Sequence, residues 1–274
     1  MKTTIKDEGF MKIVVCVKQV PDTSDIKWTE NNTMVREGVE SIMNPFDEYA
    51  VETAIRIKEA NPSATITAVS MGPPQAKDVL KRAIAMGADE AILISDKKFA
   101  GADTQATSRT LAAAIKNKIG NVDLIICGMF AIDGDTAQTG PSIAEHLGLA
   151  QVTYAKEVQY SGGDNLVVKR EVDEGLQTVQ MQLPGLVCML KCDYEPRKPS
   201  IKGTMKANKT EIPMYGLEDI GLTPEEVGIK GSPTFVSKAF RPQPRESGEM
   251  INAGSAQEAA QKLIEKLQAE KILA

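Results

Sequence analysis

The chain has 274 residues, enough for one large domain or a domain with a smaller lobe, and is 42% hydrophobic and 25% charged. Aromatic residues make up only 4% and the net charge is −5, which argues against stacked nucleic-acid bases and against a phosphate-backbone groove spread over the surface. No apolar run approaches a membrane span, the longest tight one, Leu186–Leu190, being strand-sized.

Residues 1–10 read as an extension ahead of the fold. Lys2 and Lys6 are followed by acidic residues and not by an apolar core, so a signal peptide is not expected and a cytoplasmic protein is. Met11 precedes a β run, Lys12–Lys18, which turns at Pro21 in "VCVKQVPDT". Pro45–Ala60 has the period of an amphipathic helix, with Phe46, Ala50, Ala54 and Ile57 on one face. Ala64–Ser70 is a second β run and ends at Met71-Gly72. Pro74–Met86 is a second helix with Val79, Ala83 and Met86 inward. "GADEAILIS" turns into a third β run. Asp103–Ile119 is a third helix, with Asp103 or Thr104 as its cap. Val122–Cys127 is a fourth β run and Pro141–Leu147 a fourth helix. Strands alternating with helices predict an α/β fold, a parallel sheet with helices on both faces, because parallel strands need crossovers.

After residue 150 the pattern changes to an antiparallel ribbon, with turns at Ser161-Gly162-Gly163-Asp164 and Asp173-Glu174-Gly175, followed by a buried strand. From Cys192 the periodicity fades and prolines recur, at Pro196, Pro199, Pro213, Pro224, Pro233, Pro242 and Pro244. Residues 193–254 therefore read as an extended arm that lies on the parent domain, 11–192, or on a partner. Residues 255–274 read as a C-terminal amphipathic helix. Ser255 and Glu258 form a capping-box pattern, and Ala256, Ala259, Ala260, Leu263, Ile264 and Leu267 form its apolar stripe.

Of the four cysteines, Cys16, Cys127 and Cys188 lie in apolar strand-like runs and read as reduced core residues. Cys188 and Cys192 are four apart with no CxxC pair elsewhere, so no metal site is expected. His146 is the only histidine and reads as structural, which leaves Ser-His-Asp chemistry without support.

The segment "GMFAIDGDTAQTGPSIAEHLG", Gly128–Gly148, leaves a strand and enters a helix. In an open parallel sheet that is where ligands sit. Backbone N–H groups at a helix start attract phosphate. Gly134 and Gly140 allow close approach, and Thr136, Gln138 and Thr139 add donors. Asp133 and Asp135 repel phosphate and suit backbone caps or ribose hydroxyls better. The segment is neither a Walker A loop nor GxGxxG, and a tight structural turn or a metal site remain alternatives. Asn44 is either a helix cap before Pro45 or a reader of an adenine edge.

These residues resemble a known family. The segments "VCVKQVPD", "MNPFDEYAVETAIRIK", "AVSMGPPQ", "AIAMGADEAILI", "AIDGDTAQTGP", "VKREVDEGLQTVQMQLPGLVCM" and "EPRKPSIKGTMKANK", in this order from Met11 to the C-terminus, resemble the β subunit of electron-transfer flavoproteins. The resemblance implies a Rossmann-like fold of the adenine-nucleotide α-hydrolase-like kind. It implies a heterodimer with a larger, FAD-holding α subunit, and an adenine nucleotide bound by this subunit. In ordinary members that nucleotide is AMP. In electron-bifurcating members it is a second FAD, reduced by NADH, with one electron sent to ferredoxin or flavodoxin and the other through the α-subunit FAD to a dehydrogenase of the acyl-CoA, caffeyl-CoA or lactate type.

The nucleotide contacts implied by the resemblance fall on Cys16, on Asn44, Pro45, Phe46 and Asp47, on Met71, and on the loop Gly128, Met129, Phe130, Ala131, Ile132, Asp133, Gly134, Asp135, Thr136, Ala137, Gln138 and Thr139. The partner-recognition loop falls on "EPRKPSIKGTMK", with Ile201 as its apolar anchor. Ordinary members tend to read Asp-Asp-Asp-x-Asn-Gln where this chain reads Asp133-Gly134-Asp135-Thr136-Ala137-Gln138, which resembles the bifurcating type. Gly134 and Ala137 remove bulk and one carboxylate, leaving room for a pyrophosphate. No catalytic acid, base or nucleophile is expected. A universal-stress-protein-like nucleotide-binding regulator is the alternative from another class, and an ATP-pyrophosphatase is disfavoured because "KQVPDTSD" is not an SGGxDS loop.

Overall fold

The computed structural model describes residues 10–22, 27–28, 34–35, 41–237 and 248–273. Residues 1–9 of the expected extension, Thr23 to Asp25 of the "PDTSD" turn, and Pro242 and Pro244 of the expected arm lie outside the described residues. The chain divides into two units, Met1–Lys238 and Ala239–Ala274.

The described residues of the first unit form thirteen strands: β1 (Lys12–Cys16), β2 (Gln19–Pro21), β3 (Lys27–Trp28), β4 (Met34–Val35), β5 (Ser41–Met43), β6 (Thr65–Met71), β7 (Glu90–Ile94), β8 (Leu124–Gly128), β9 (Ala150–Tyr160), β10 (Asn165–Val172), β11 (Gly175–Gln182), β12 (Gly185–Met189) and β13 (Met214–Tyr215). Nine of them form one sheet in the order β11-β10-β9-β12-β8-β1-β6-β7-β13. From β9 to β13 the pairings are parallel, and β10 joins β9 and β11 antiparallel. The alternation of strand and helix thus becomes a parallel sheet, and the run after residue 150 becomes the ribbon at one edge.

The helices are α1 (Pro45–Ala60), α2 (Lys77–Met86), α3 (Thr104–Ala114), α4 (Thr139–Leu147), α5 (Ile201–Lys209) and α6 (Leu217–Ile220). Residues on each strand alternate between the two faces. Ile13, Val15, Ile66 and Ala68 pack with α1, α2 and Ala207 of α5. Val14, Val69, Ile125 and Cys127 pack with α3, α4 and α6. The expected third helix keeps α geometry only to Ala114 and ends in one wide π turn, Ile115–Ile119. Asp103 is its cap, accepting from the Ala106 N–H.

The segment expected as an extended arm is not extended over its described first half. α5 forms there, β13 extends the sheet beside β7, and α6 adds Leu217 and Ile220 to the core. The reason is visible in the residues that touch. α5 packs through Gly203 and Ala207, small residues that leave little apolar periodicity, while its large apolar residues face out. In the second unit α7 (Ala256–Ala269) is capped by Ser255, which accepts from the Glu258 N–H. The Glu258 carboxylate accepts from the Gly254 N–H, one residue before the cap.

Candidate functional site

The strand order places the carboxyl ends of β8, β1 and β6 side by side. Cys16 is the register partner of both Cys127 and Val69, so the chain leaves the sheet there in three adjacent loops. The turn after β1 is stapled to the start of α1. The Asn44 N–H donates to the Lys18 carbonyl at 2.9 Å, and the Lys18 N–H donates to Asp47 Oδ2 at 2.7 Å.

Asn44 then ties α1 to the loop after β8. Its amide nitrogen donates to Asp47 Oδ1 at 2.9 Å and to the Phe130 carbonyl at 2.7 Å, and its oxygen accepts from the Ile132 N–H at 3.2 Å. The residue is 1% exposed. Both amide hydrogens are therefore used. The side chain neither caps α1 nor offers a donor to an adenine edge; it holds the loop after β8 in place. The cap reading fails because the Asn44 side chain accepts no hydrogen bond from a backbone N–H of the first turn, Pro45 having removed one of the N–H groups that such a cap would serve.

Asp47 is buried beneath this loop. A Cβ on Gly128 would lie 2.2 Å from Asp47 Oδ1 and 2.8 Å from Phe46 Cβ, so glycine is required there by contact. Burial pushes the Asp47 carboxyl up to about 7, against the lowering effect of its hydrogen bonds from Asn44 and Lys18.

The two glycines of the loop region differ in their surroundings. Gly134 is not in the left-handed region, and a Cβ there would meet nothing within 4 Å. The left-handed residues are Asp135, with φ 50°, and Ala137, with φ 56°. Each is held against a steric preference of about 1 kcal/mol. Gly140 is buried one residue into α4, and its absent Cβ would lie 2.4 Å from Cys188 Sγ. It serves the packing of helix on sheet, not the approach of a ligand. Gln138 stands at the N-cap without capping; its side-chain oxygen accepts from Thr104 Oγ1 at 2.7 Å. No side chain caps α4, and Pro141 carries no N–H.

Asp133 does not face the helix start alone. Lys18 Nζ pairs with its carboxylate at 2.7 Å, which offsets the repulsion expected of that carboxylate toward phosphate. Met129 is in the core by its side chain, and its N–H donates to the Met189 carbonyl at 2.8 Å. Cys16 is half-buried beside Cys127, and Cys188 follows Cys127 in register on β12. Cys127 is held well above the usual thiol range by the hydrogen bond with Cys16 and by burial, and burial pushes Cys188 up to about 12. Met71 ends β6, two residues beyond Cys16's partner Val69. Among the described residues no group of three or more His, Cys, Asp or Glu side chains could hold a metal ion, and no helix is long and apolar enough to cross a membrane.

Two residues at this edge escaped the motif reading. Lys18 neutralises Asp133 across 115 positions of sequence. Tyr154, in β9, has φ 58° and sets its ring edge-on to Phe130, centroids 5.9 Å apart; Phe130 in turn meets Phe46 at 5.6 Å. Irregular pairing of β9 with both neighbours allows this turn-like backbone inside a strand. Lys18 was legible as a cation at a strand end. Nothing in the local sequence marks the backbone of Tyr154.

Ile201 lies elsewhere. It is the first residue of α5, 85% exposed. α5 packs on the last turn of α2. Because α2 runs antiparallel to the strands, that turn lies toward their amino ends, away from the loop after β8.

Residues 31–219 match the Electron transfer flavoprotein domain. Full-length relatives agree. The chain is 45% identical over 264 residues to the caffeyl-CoA reductase-Etf complex subunit CarD of Acetobacterium woodii, covering 96% of this chain and 100% of the relative. It is 45% identical to the electron transfer flavoprotein subunit beta of Megasphaera elsdenii, with 96% and 100% covered. It is 39% identical to the acryloyl-CoA reductase electron transfer subunit gamma of Anaerotignum propionicum, again with 96% and 100% covered.

Proposed function

The chain belongs to the electron transfer flavoprotein family as a β-type subunit, and we propose that it binds a second, bifurcating FAD in a cytoplasmic heterodimer with an electron-transfer flavoprotein α subunit. Family membership sets aside the universal-stress-protein-like alternative. The loop after β8 carries the reading. Around Gly134 there is open space for a second phosphate, the start of α4 has no side-chain cap, and Asp133 is matched by Lys18. A pyrophosphate needs room and backbone donors, which Gly134 and the uncapped start of α4 offer, and the Lys18 ion pair removes the repulsion that a lone Asp133 would exert.

The residues that would hold the nucleotide are Thr136, Gln138 and Thr139 at the helix start, with Lys18 at the phosphates. Cys16, Met71 and the backbone from Gly128 to Ile132 would line its remaining length. Asn44 and Asp47 hold the loop rather than the ligand. FAD held by these residues would supply the redox chemistry, with NADH as hydride donor and with ferredoxin or flavodoxin, and a dehydrogenase reached through the α-subunit FAD, as the two one-electron acceptors. The protein's part is binding, orientation and electrostatics. The names of the Acetobacterium and Anaerotignum relatives place those proteins in CoA-ester reductase complexes, which favours an acyl-CoA or caffeyl-CoA type of dehydrogenase over a lactate type. Ile201 is the apolar anchor toward that partner.

The test is the FAD and AMP content of the co-expressed αβ complex after gentle purification. About two FAD per heterodimer without AMP is expected. About one FAD with one AMP would replace this reading with an ordinary electron shuttle carrying a structural nucleotide.

A further inference from the structure

Ile201, 85% exposed, opens α5, and Met205, 56% exposed, follows one turn later. Two large apolar side chains at this spacing share a helix face. Lys198, Lys202 and Lys209 around them are exposed as well. The helix is seated on α2 by close contacts. A Cβ on Gly203 would lie 2.1 Å from the Ala85 carbonyl oxygen, the Ser200 N–H donates to that oxygen at 3.3 Å, and Lys206 Nζ donates to the Ala88 carbonyl at 3.0 Å.

Four residues before Ile201 the chain is gripped by α1. Arg197 donates from its backbone N–H and from Nε to Glu52 Oε2, at 3.0 and 2.8 Å, and from Nη2 to Glu52 Oε1 at 3.1 Å. Its Nη1 reaches Glu59 at 2.7 Å. Arg56 completes the set, donating to Glu52 Oε1 at 2.9 Å while its guanidinium lies 3.8 Å from the centre of the Tyr194 ring. The Glu52 side chain is 3% exposed. Burial raises its carboxyl, and the Arg197 and Arg56 hydrogen bonds outweigh that and hold it below the usual carboxylate range.

A buried carboxylate is a poor device for stability, since apolar residues of similar volume commonly serve as well. What the planar fork provides is a fixed position and angle for Arg197. We infer that Glu52 is a positioning residue for partner docking: through Arg197 it fixes where α5 begins, and so presents Ile201 and Met205 as a paired anchor. The inference rests on the reading of Ile201 as that anchor. The partner surface that fits is an apolar pocket rimmed by carboxylates, complementary to the exposed lysines. Glu52 lies about 12 Å along α1 from Asn44. One helix therefore fixes the ligand loop at one edge of the sheet and the docking helix toward the other.

The experiment uses the assembled αβ complex with Glu52→Gln, Arg197→Lys and Ile201→Ala. Hydrogen exchange at the Gly203 and Thr204 amides is expected to quicken about tenfold in the first two variants and to stay unchanged at 128–139. With a substrate-reduced acyl-CoA dehydrogenase as the probe, all three variants are expected to raise its apparent KM about tenfold, the loss falling on KM and not on kcat. Unchanged exchange at Gly203 and Thr204 overturns the proposal, as does an unchanged KM in Glu52→Gln and Arg197→Lys alongside a raised KM in Ile201→Ala. An unchanged KM in Ile201→Ala sinks the anchor reading itself, and with it the docking role of Glu52. If Glu52→Gln does not assemble, Arg197→Lys decides, because that side chain is 36% exposed and its replacement keeps the charge.

Discussion

Asn44 and Phe130, 86 positions apart, are joined by a hydrogen bond of 2.7 Å from the Asn44 amide to the Phe130 carbonyl. With the Ile132 N–H on the same side chain's oxygen, it makes the loop after β8 an extension of α1. Asn44→Ala would leave a buried carbonyl, an N–H and one oxygen of Asp47 without their partner, at a cost of about 2–3 kcal/mol. Urea unfolding should show the lower midpoint, and nucleotide retention should fall with it. Asn44→Asp is expected to be no better, since it sets a second carboxylate against Asp47. An unchanged midpoint in Asn44→Ala would mean that the loop is held by something else.

Asp47 gives a pH signature. Its folded pKa of about 7 lies above the ordinary aspartate value of 3.8. Below pH 4 the carboxyl is protonated in both states and its contribution is fully present. As pH rises toward 7 the unfolded chain ionises first, so this contribution is lost through that window. The loss is bounded at about 4 kcal/mol by the size of the shift. Thermal unfolding between pH 4 and 8 should show the wild type losing stability relative to Asp47→Asn as pH rises. Parallel curves would show that Asp47 titrates normally.

Much of the scaffold was legible because hydrophobic period and crossover logic act locally. Ala50, Ala54 and Ile57 of α1 and Val79, Ala83 and Met86 of α2 are buried as expected, while Phe46, expected on the same face of α1, is half-buried. The departures have tertiary causes. α5 hides from a periodicity reading because Gly203 and Ala207 make its contacts while Ile201 and Met205 point out. The roles of Asn44 and Lys18 depend on partners 86 and 115 positions away, which no local pattern encodes. Gly140 answers to Cys188 on the sheet and not to a ligand, and the left-handed residues of the loop, Asp135 and Ala137, carry no glycine to mark them.

The glycines of the loop can be separated by experiment. Gly128→Ala drives a Cβ into Asp47 and Phe46 and should cost about 2–4 kcal/mol, since the Phe46 backbone carbonyl carbon at 2.9 Å leaves little room to relax. Gly134→Ala has open space and should change stability by less than about 0.5 kcal/mol. Gly134→Asp restores the carboxylate of the ordinary loop and is expected to lower FAD and raise AMP in the purified αβ complex at unchanged melting temperature. If Gly134→Asp keeps its full FAD content, the space at Gly134 is not what admits the second phosphate.

The seat of α5 is testable without any partner. Gly203→Ala places a methyl group 2.1 Å from the Ala85 carbonyl oxygen, a backbone atom that cannot swing aside. The helix must lift from α2 or α2 must bend, and either distorts the contacts of Ser200 and Lys206 with that turn. A loss of about 1–3 kcal/mol is expected. Ile201→Ala, at a side chain 85% exposed, should move the midpoint by less than about 0.5 kcal/mol. The contrast separates the two roles of one short helix: Gly203 faces the fold and Ile201 faces away from it. Equal effects in the two variants would place Ile201 against the protein's own surface, and an anchor already occupied in that way has nothing left to offer a partner.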